Sequence, residues 1–178
     1  IGMSALAIIL KSQGFSVSGS DSNESETLKL LSSKNIKIFR KQASENIQSL
    51  TEKEENKTLI ITSTAISEKN CEISAAKNKG IEIWHRSDLL ASLINNQPSI
   101  VISGTHGKTT TSTLITTLLD LNKKDPTAII GGVVPLYKSN ANAGHGKFLV
   151  AEADESDGSL VKFNPEIGII TNIELDHT

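Results

Sequence analysis

The chain has 178 residues, a formal net charge of −2 and a single cysteine, Cys71. This length accommodates one large domain or two small ones. The small net charge gives no reason to expect nucleic-acid or membrane partners, and the apolar runs are too short to span a membrane. Because one cysteine cannot form an internal disulfide, a reducing, cytoplasmic location is expected.

Short apolar segments alternate with helical patterns, which predicts an α/β fold with a parallel sheet. Aromatic residues make up only 3% of the chain, so the core must be built from aliphatic side chains, as is typical of such sheets. The first predicted elements, in chain order, are a helix at 3–13, strands at 15–19 and 36–39 around a helix at 25–34, a charged loop or helix end at 51–57, a strand at 59–62, a helix at 72–79, a strand at 81–84 and a helix capped by Ser87 that runs to about residue 94.

The segment Asn95-Asn96-Gln97-Pro98 has the composition of a linker. The order of elements restarts after it, which predicts one domain over residues 1–97 and a second over 98–178. The elements predicted for the second domain are a strand at 100–102, a helix at 109–119 and strands at 128–130, 148–151 and 167–171, the last of which is expected to be buried.

A glycine loop followed by a lysine and threonines lies between the strand at 100–102 and the helix at 109–119. Glycines allow backbone N–H groups to turn toward an anion, and the helix N-terminus attracts negative charge. Lys108 would reach the outer phosphates of a nucleotide, and Thr109 would offer its hydroxyl to magnesium. The usual P-loop has four residues between its first glycine and the Gly-Lys pair, whereas here there are two, so a simple glycine turn stays open. The predicted ATP-binding residues are Gly104, Thr105, His106, Gly107, Lys108, Thr109 and Thr110.

The N-terminal segment Gly2-Met3-Ser4 opens the first helix, and Asp21 follows the next strand about twenty residues later, as in a dinucleotide-binding fold. Only one loop glycine is present. An ordinary helix start and a turn aspartate therefore explain this pattern equally well.

Acidic residues follow two later strands at the ends where α/β sheets bind ligands. Glu152 lies closest to the strand at 148–151, ahead of Asp154, Glu155 and Asp157, and is the candidate for holding magnesium. The other three acids could form a solvated turn. His177 belongs to a second such cluster at 171–178 and is either a ligand or structural. Small residues at 130–134 and 139–146 could cradle a polar ligand or simply form loops.

Taken together, these segments resemble the Mur ligases, which build the peptide of bacterial cell-wall precursors, and resemble most the branch that adds L-alanine to UDP-N-acetylmuramate. The resemblance implies a Rossmann-like, parallel-sheet UDP-binding domain lacking its first strand, then a truncated P-loop ATPase domain of α/β class, with a further C-terminal domain absent. The segments that carry the resemblance are 2–7, 18–21, 63–66, 85–90, 104–111, 152–157 and 171–177.

The resemblance also implies an ATP- and Mg²⁺-dependent ligation of L-alanine to the lactyl carboxylate of UDP-N-acetylmuramate through an acyl phosphate. Lys108, Glu152 and His177 would be the catalytic residues, and Thr109, Glu152 and His177 would hold magnesium. The fragment alone is expected to be inactive. The implied substrate-binding residues are Gly2, Met3, Ser4, Asp21, Ser63 and Asn140.

Three alternatives remain at this point. One is a recycling Mur ligase that attaches a preformed peptide to the same UDP-sugar. The acidic segment Glu155-Ser156-Asp157 favours the alanine branch over it. The others are a P-loop ATPase or GTPase switch, which the shortened loop disfavours, and a non-catalytic nucleotide-sugar-binding module.

Overall fold

The computed structural model describes residues 2–51, 57–154 and 158–174. Its helices and strands alternate along most of the chain, and every sheet contains parallel strand pairs, so the predicted α/β fold with parallel sheets is confirmed. The elements in chain order are α1 (Gly2–Ser12), β1 (Ser18–Ser20), α2 (Glu26–Ser33), β2 (Lys37–Phe39), α3 (Ser44–Thr51), β3 (Leu59–Thr62), α4 (Cys71–Asn78), β4 (Glu82–His85), α5 (Arg86–Asn95), β5 (Ser99–Ser103), α6 (Lys108–Leu121), β6 (Thr127–Val134), β7 (Ser139–Asn142), β8 (Leu149–Glu152), a 3-10 turn (Ser159–Lys162) and β9 (Ile167–Ile170).

The chain divides into two compact units, one formed by Ile1–Phe15 with Leu90–Thr178 and the other by Ser16–Leu89. The first helix is thus grouped with the later part of the chain. The predicted boundary between residues 97 and 98 stays a prediction. In the part of the chain that the structure describes, no helix has the length and apolar character needed to cross a membrane.

The unit Ser16–Leu89 contains two parallel pairs of strands, β1 with β2 and β3 with β4. Two of its helices begin at a side chain that accepts backbone N–H groups, as expected for an N-cap. Ser25 accepts from Leu28 N at the start of α2, and Asn70 accepts from Glu72 N and Ile73 N at the start of α4. The Glu72 carboxylate in turn accepts from Ser20 Oγ at 2.5 Å and from Asn46 Nδ2 at 2.6 Å, which ties α4 to β1 and α3.

The other unit is built on a five-stranded sheet in the order β7-β6-β8-β5-β9. Strand β5 is buried along its whole length, and its side chains Ile100 and Ile102 pack with Val150 of β8 to form a core. Ile115 of α6 covers this core. Strand β5 and the helix α6 that follows it therefore hold the intervening loop at one end of the sheet.

Four details differ from the sequence predictions. Helix α3 was not predicted, and β7 is an antiparallel strand where a loop was equally expected. The strand β9 was expected to be buried, but it lies at the sheet edge with Ile170 66% exposed. Ser87 is not the N-cap of α5, because the helix already begins at Arg86 and Asp88 Oδ2 accepts from the preceding His85 N.

The glycines of the segment 139–146 serve a close backbone crossing. A Cβ at Gly144 or Gly146 would collide with backbone carbonyls of residues 124–126. The nearby Asp125 carboxylate accepts from the backbone N–H of His145 at 2.8 Å, and this hydrogen bond lowers the pKa of Asp125. This half of the segment is structural, whereas Asn140 lies in β7.

Candidate functional site

The loop between β5 and α6 has the backbone geometry of an anion-binding turn. Gly104 and Gly107 have φ angles of 126° and 82°, which favour glycine. Gly107 is the N-cap of α6 and makes no side-chain cap hydrogen bond, so the helix dipole and its first N–H groups face this loop. Thr109 and Thr110 are exposed in the first turn of the helix.

Lys108 is folded back onto the loop that precedes it. Its Nζ donates to the carbonyl oxygen of Gly104 at 2.5 Å and to that of Thr105 at 3.3 Å. The ammonium group thus lies inside the turn, within reach of any anion that the turn holds.

The segment after β9 fixes the loop from the other side. Asn172 Oδ1 accepts from the backbone N–H of His106 at 2.9 Å, and Thr171 Oγ1 donates to the carbonyl oxygen of His106 at 2.5 Å. Thr105 Oγ1 accepts from Glu174 N at 3.3 Å, and a Cβ at Gly104 would collide with Thr171 and Asn172. The cluster that starts at Thr171 therefore lies directly against the loop, although His177 lies outside the described residues.

Glu152 faces the start of α6. It ends β8 and is paired with Ile102 of β5, so it lies at the same end of the sheet as the loop. Its Oε2 is 3.2 Å from Thr109 Oγ1, and its Oε1 accepts from Ser112 Oγ at 2.6 Å. A carboxylate and a hydroxyl are thus brought together beside the P-loop lysine.

This pair of oxygens fits a magnesium ion. Mg²⁺ prefers oxygen ligands, keeps several waters and is usually held by one or two carboxylates. Two glycines of β6 keep space open here: a Cβ at Gly131 would lie 2.6 Å from Glu152 Oε2, and one at Gly132 would lie 2.8 Å from Thr109 Cγ2. Within the described residues, no group of three or more His, Cys, Asp or Glu side chains forms an alternative metal site.

Two of the predicted substrate-binding residues also meet. Asn140 of β7 is 5% exposed, and its Nδ2 donates to Ser4 Oγ of α1 at 3.3 Å. Strand β7 pairs with β6, and Asn140 lies opposite the irregular stretch between Ile129 and Val134. The irregular stretch of β6 that lies opposite Asn140 thus contains Gly131 and Gly132, the two glycines beside the Thr109–Glu152 pair.

The remaining candidates belong to the unit Ser16–Leu89, adjoin Ser4 or Glu152 in the sequence, or lie outside the described residues. Asp21 and Ser63 follow β1 and β3, which belong to different two-stranded sheets. Asp21 Oδ1 accepts from Asn23 N at 2.9 Å, an ordinary turn contact. Asp154 is exposed, and Glu155 and Asp157 lie outside the described residues together with His177. Gly2 and Met3 form the first turn of α1.

Sequence reasoning placed Thr171 and Asn172 in a candidate cluster, and the paired glycines in a candidate cradle, but it missed Ser112 and the contacts that these residues make. Ser112 could have been found from spacing, because it follows Thr109 by three residues and Lys108 by four and so shares their helix face. No sequence signal identifies the contacts of Thr171 and Asn172 with the loop, since these depend on how β9 pairs with β5.

Family models match this chain in two consecutive segments. The model described as "Mur ligase family, catalytic domain" matches residues 1–98, and the one described as "Mur ligase middle domain" matches residues 102–178. The chain belongs to the Mur ligase family. The loop, Lys108 and Glu152 therefore lie in the part of this Mur ligase that corresponds to the middle domain.

Curated relatives include the UDP-N-acetylmuramate–L-alanine ligases of Synechococcus sp. (strain CC9605) and Prochlorococcus marinus (strain MIT 9303). They are 58% and 57% identical to this Mur ligase chain over its whole length. The alignments cover 38% and 36% of those two proteins, so the chain spans less than two fifths of their length.

Solved structures have the same fold. The UDP-N-acetylmuramate–alanine ligase of Thermotoga maritima matches with a TM-score of 0.88 and 31% identity over 99% of this chain and 40% of that one. A UDP-N-acetylmuramate:L-alanyl-gamma-D-glutamyl-meso-diaminopimelate ligase from Neisseria meningitides matches with a TM-score of 0.86 at 23% identity, covering 98% of this chain and 58% of that one. The second likeness concerns the fold alone.

Proposed function

We propose that the full-length protein joins L-alanine to the lactyl carboxylate of UDP-N-acetylmuramate, using ATP and Mg²⁺, in cytoplasmic synthesis of peptidoglycan precursors. The observation that carries this proposal is the pairing of Thr109 Oγ1 with Glu152 Oε2 at 3.2 Å beside the phosphate loop. The support for L-alanine as acceptor is the identity to ligases that carry this name, at 58% and 57% over the chain.

The loop and the acidic and histidine residues that follow later strands have distinct roles in this proposal. The backbone N–H groups at the start of α6 bind the phosphates, and Lys108 neutralises charge on the outer ones. Thr109 and Glu152 hold one magnesium, and His177 holds a second near the substrate carboxylate. When bound, the metal neutralises charge that develops on the phosphate oxygens.

The reaction requires activation because a carboxylate is a poor acylating agent. Transfer of the γ-phosphoryl group of ATP to the lactyl carboxylate gives an acyl phosphate, and the amine of L-alanine then displaces phosphate to form the amide. Most of the rate enhancement comes from positioning and charge neutralisation. The rigid attachment of the loop to Thr171 and Asn172 serves that positioning.

In this proposal, the UDP-sugar binds beside Asn140, and Gly131 and Gly132 of β6 lie between it and the Thr109–Glu152 pair. Ser4 and Asn140, which are hydrogen-bonded to each other, lie toward its sugar-lactyl end, with Gly2 and Met3 in the adjoining helix turn. Asp21 and Ser63 contact the UDP portion from the carboxyl ends of β1 and β3. Residues 1–97 then form the UDP-sugar-binding domain, and residues 98–178 belong to the ATP-binding domain.

The acceptor assay tests this function. The full-length protein is given ATP, Mg²⁺ and UDP-N-acetylmuramate with either L-alanine or the tripeptide L-alanyl-γ-D-glutamyl-meso-diaminopimelate, and phosphate release is measured. We expect release that depends on L-alanine. Release with the tripeptide but not with L-alanine contradicts the proposal and selects the recycling ligase.

The isolated 178-residue chain is the matched control in this assay. We expect it to release no alanine-dependent phosphate, because it spans less than two fifths of the length of the two ligases that it matches. Retained binding of UDP-N-acetylmuramate without any turnover in the full-length protein selects the non-catalytic binding module. Hydrolysis of ATP without any dependence on the UDP-sugar selects a nucleotide switch.

A further inference from the structure

Ser112 contacts the carboxylate of Glu152, which is the proposed magnesium ligand. It lies in the second turn of α6 and is 0% exposed. Its Oγ is 2.6 Å from Glu152 Oε1, 2.8 Å from the carbonyl oxygen of Lys108 and 3.2 Å from that of Thr109. The hydroxyl has one proton and three nearby acceptors, so the acceptors compete for that proton.

The proton of Ser112 is donated to Glu152. An ionised carboxylate can only accept hydrogen bonds, and a hydrogen bond to a charged acceptor is about twice as strong as one between neutral groups. The Glu152 oxygen is also the nearest of the three acceptors. The two backbone carbonyls compete less well for the same proton.

This contact decides which oxygen of Glu152 faces Thr109. With Oε1 held by Ser112, Oε2 is directed to Thr109 Oγ1 at 3.2 Å and to the open side of Gly131. Of the residues that the structure describes, Ser112 and Thr109 are those whose side chains hydrogen-bond this carboxylate. A Thr109 oxygen that binds magnesium turns its proton away from Glu152, so Ser112 then keeps the carboxylate in place.

We propose that Ser112 is a positioning residue that holds Glu152 in the orientation required to bind magnesium. The proposal rests on the function proposed above and adds a residue to it. Hydrogen bonds to metal-binding carboxylates typically contribute about ten- to a hundredfold to metal affinity. Ser112 should therefore affect metal binding, with no direct effect on the nucleotide or the UDP-sugar.

The same helix provides a matched control. Thr116 lies one turn further along α6 and is also 0% exposed. Its hydroxyl has no hydrogen-bond partner among the described residues. Thr116→Val therefore removes a buried hydroxyl from α6 without removing a contact to Glu152, whereas Ser112→Ala removes the contact.

The experiment measures Mn²⁺ binding to the full-length protein in the presence of ATP by electron paramagnetic resonance, and the Mg²⁺ dependence of turnover. For Ser112→Ala we expect metal affinity to fall about ten- to a hundredfold, with unchanged UDP-N-acetylmuramate binding and unchanged ATP binding in EDTA. Ser112→Thr, which keeps the hydroxyl, should stay close to the parent protein. Ser112→Cys, with a weaker donor of similar size, should give an intermediate loss and replaces the alanine variant if that variant does not fold.

The proposal is overturned if folded Ser112→Ala binds Mn²⁺ within twofold of the parent protein, or if Thr116→Val loses as much affinity as Ser112→Ala. A parent protein that neither binds Mn²⁺ with ATP nor ligates contradicts the proposed function itself. A parent protein that ligates normally, together with unaffected Ser112 variants, contradicts the role of Ser112 alone.

Discussion

Replacing Lys108 with alanine in the full-length protein is expected to lower turnover about a hundredfold while leaving UDP-N-acetylmuramate binding nearly unchanged. The Lys108 ammonium lies within the phosphate loop, against the carbonyl oxygens of Gly104 and Thr105. In the proposed reaction it stabilises negative charge that grows during phosphoryl transfer, and the loss of one such preorganised contact costs about 3 kcal/mol of transition-state stabilisation.

Steady-state turnover and a separate titration with UDP-N-acetylmuramate measure the two effects. Lys77→Ala is the matched control, because it removes an exposed lysine from the last turn of α4. Near-normal turnover in Lys108→Ala would remove the lysine from the mechanism. A comparable loss in Lys77→Ala would assign the effect to general charge removal.

Gly104→Ala should impair turnover by a comparable factor through geometry alone. The φ angle of Gly104 is 126°, and its Cβ would lie 2.8 Å from the backbone oxygen and 3.0 Å from the backbone nitrogen of Asn172. Relief of this collision requires the loop to move away from β9 and to lose its hydrogen bonds with Thr171 and Asn172. A displacement of about 1 Å in positioning groups can cost about a hundredfold in rate.

Gly80→Ala separates this collision from backbone strain. Gly80 also has a positive φ angle, of 67°, but a Cβ there meets no atom within 4 Å. Both variants are therefore strained, and only Gly104→Ala should lose ATP binding and turnover while remaining folded by circular dichroism. Equal losses in the two variants, or full activity in Gly104→Ala, would show that contact with Asn172 does not hold the loop.

Much of the fold follows from strong local patterns in the sequence. The apolar run before the glycine loop becomes β5, which is buried along its whole length, and the lysine and threonines after the loop open α6 as predicted. The strand predicted at 59–62 is β3. These elements could be predicted because the hydrophobic periodicity and the residues that begin and end each element indicate the same structure.

The missed elements depend on tertiary contacts. The segment Ser139–Asn142 contains serine and asparagine, which are poor strand formers, and it becomes β7 because it pairs with β6 and is largely buried. Helix α3 has few apolar positions. It is held to α4 by a hydrogen bond that Asn46 donates to Glu72. Neither contact is visible in the local sequence.

For the candidate site, the residue types were predictable and the supporting contacts were not. A hydroxyl after the P-loop lysine and an acid after a strand are recognisable signals for Thr109 and Glu152. That Ser112 holds Glu152, and that Gly131 leaves space beside it, depends on the distance between α6, β6 and β8. Those distances are fixed by packing of the core around Ile102 and Val150.

A crystal structure of the full-length protein with Mg²⁺ and a non-hydrolysable ATP analogue would show whether Thr109 and Glu152 bind the metal beside the phosphates. We expect one magnesium ion bonded to Thr109 Oγ1 and to a carboxylate oxygen of Glu152, each at about 2.0–2.1 Å, with the phosphates at the start of α6. A structure in which the nucleotide binds elsewhere, or in which Glu152 takes no part in binding the ion, would contradict this expectation.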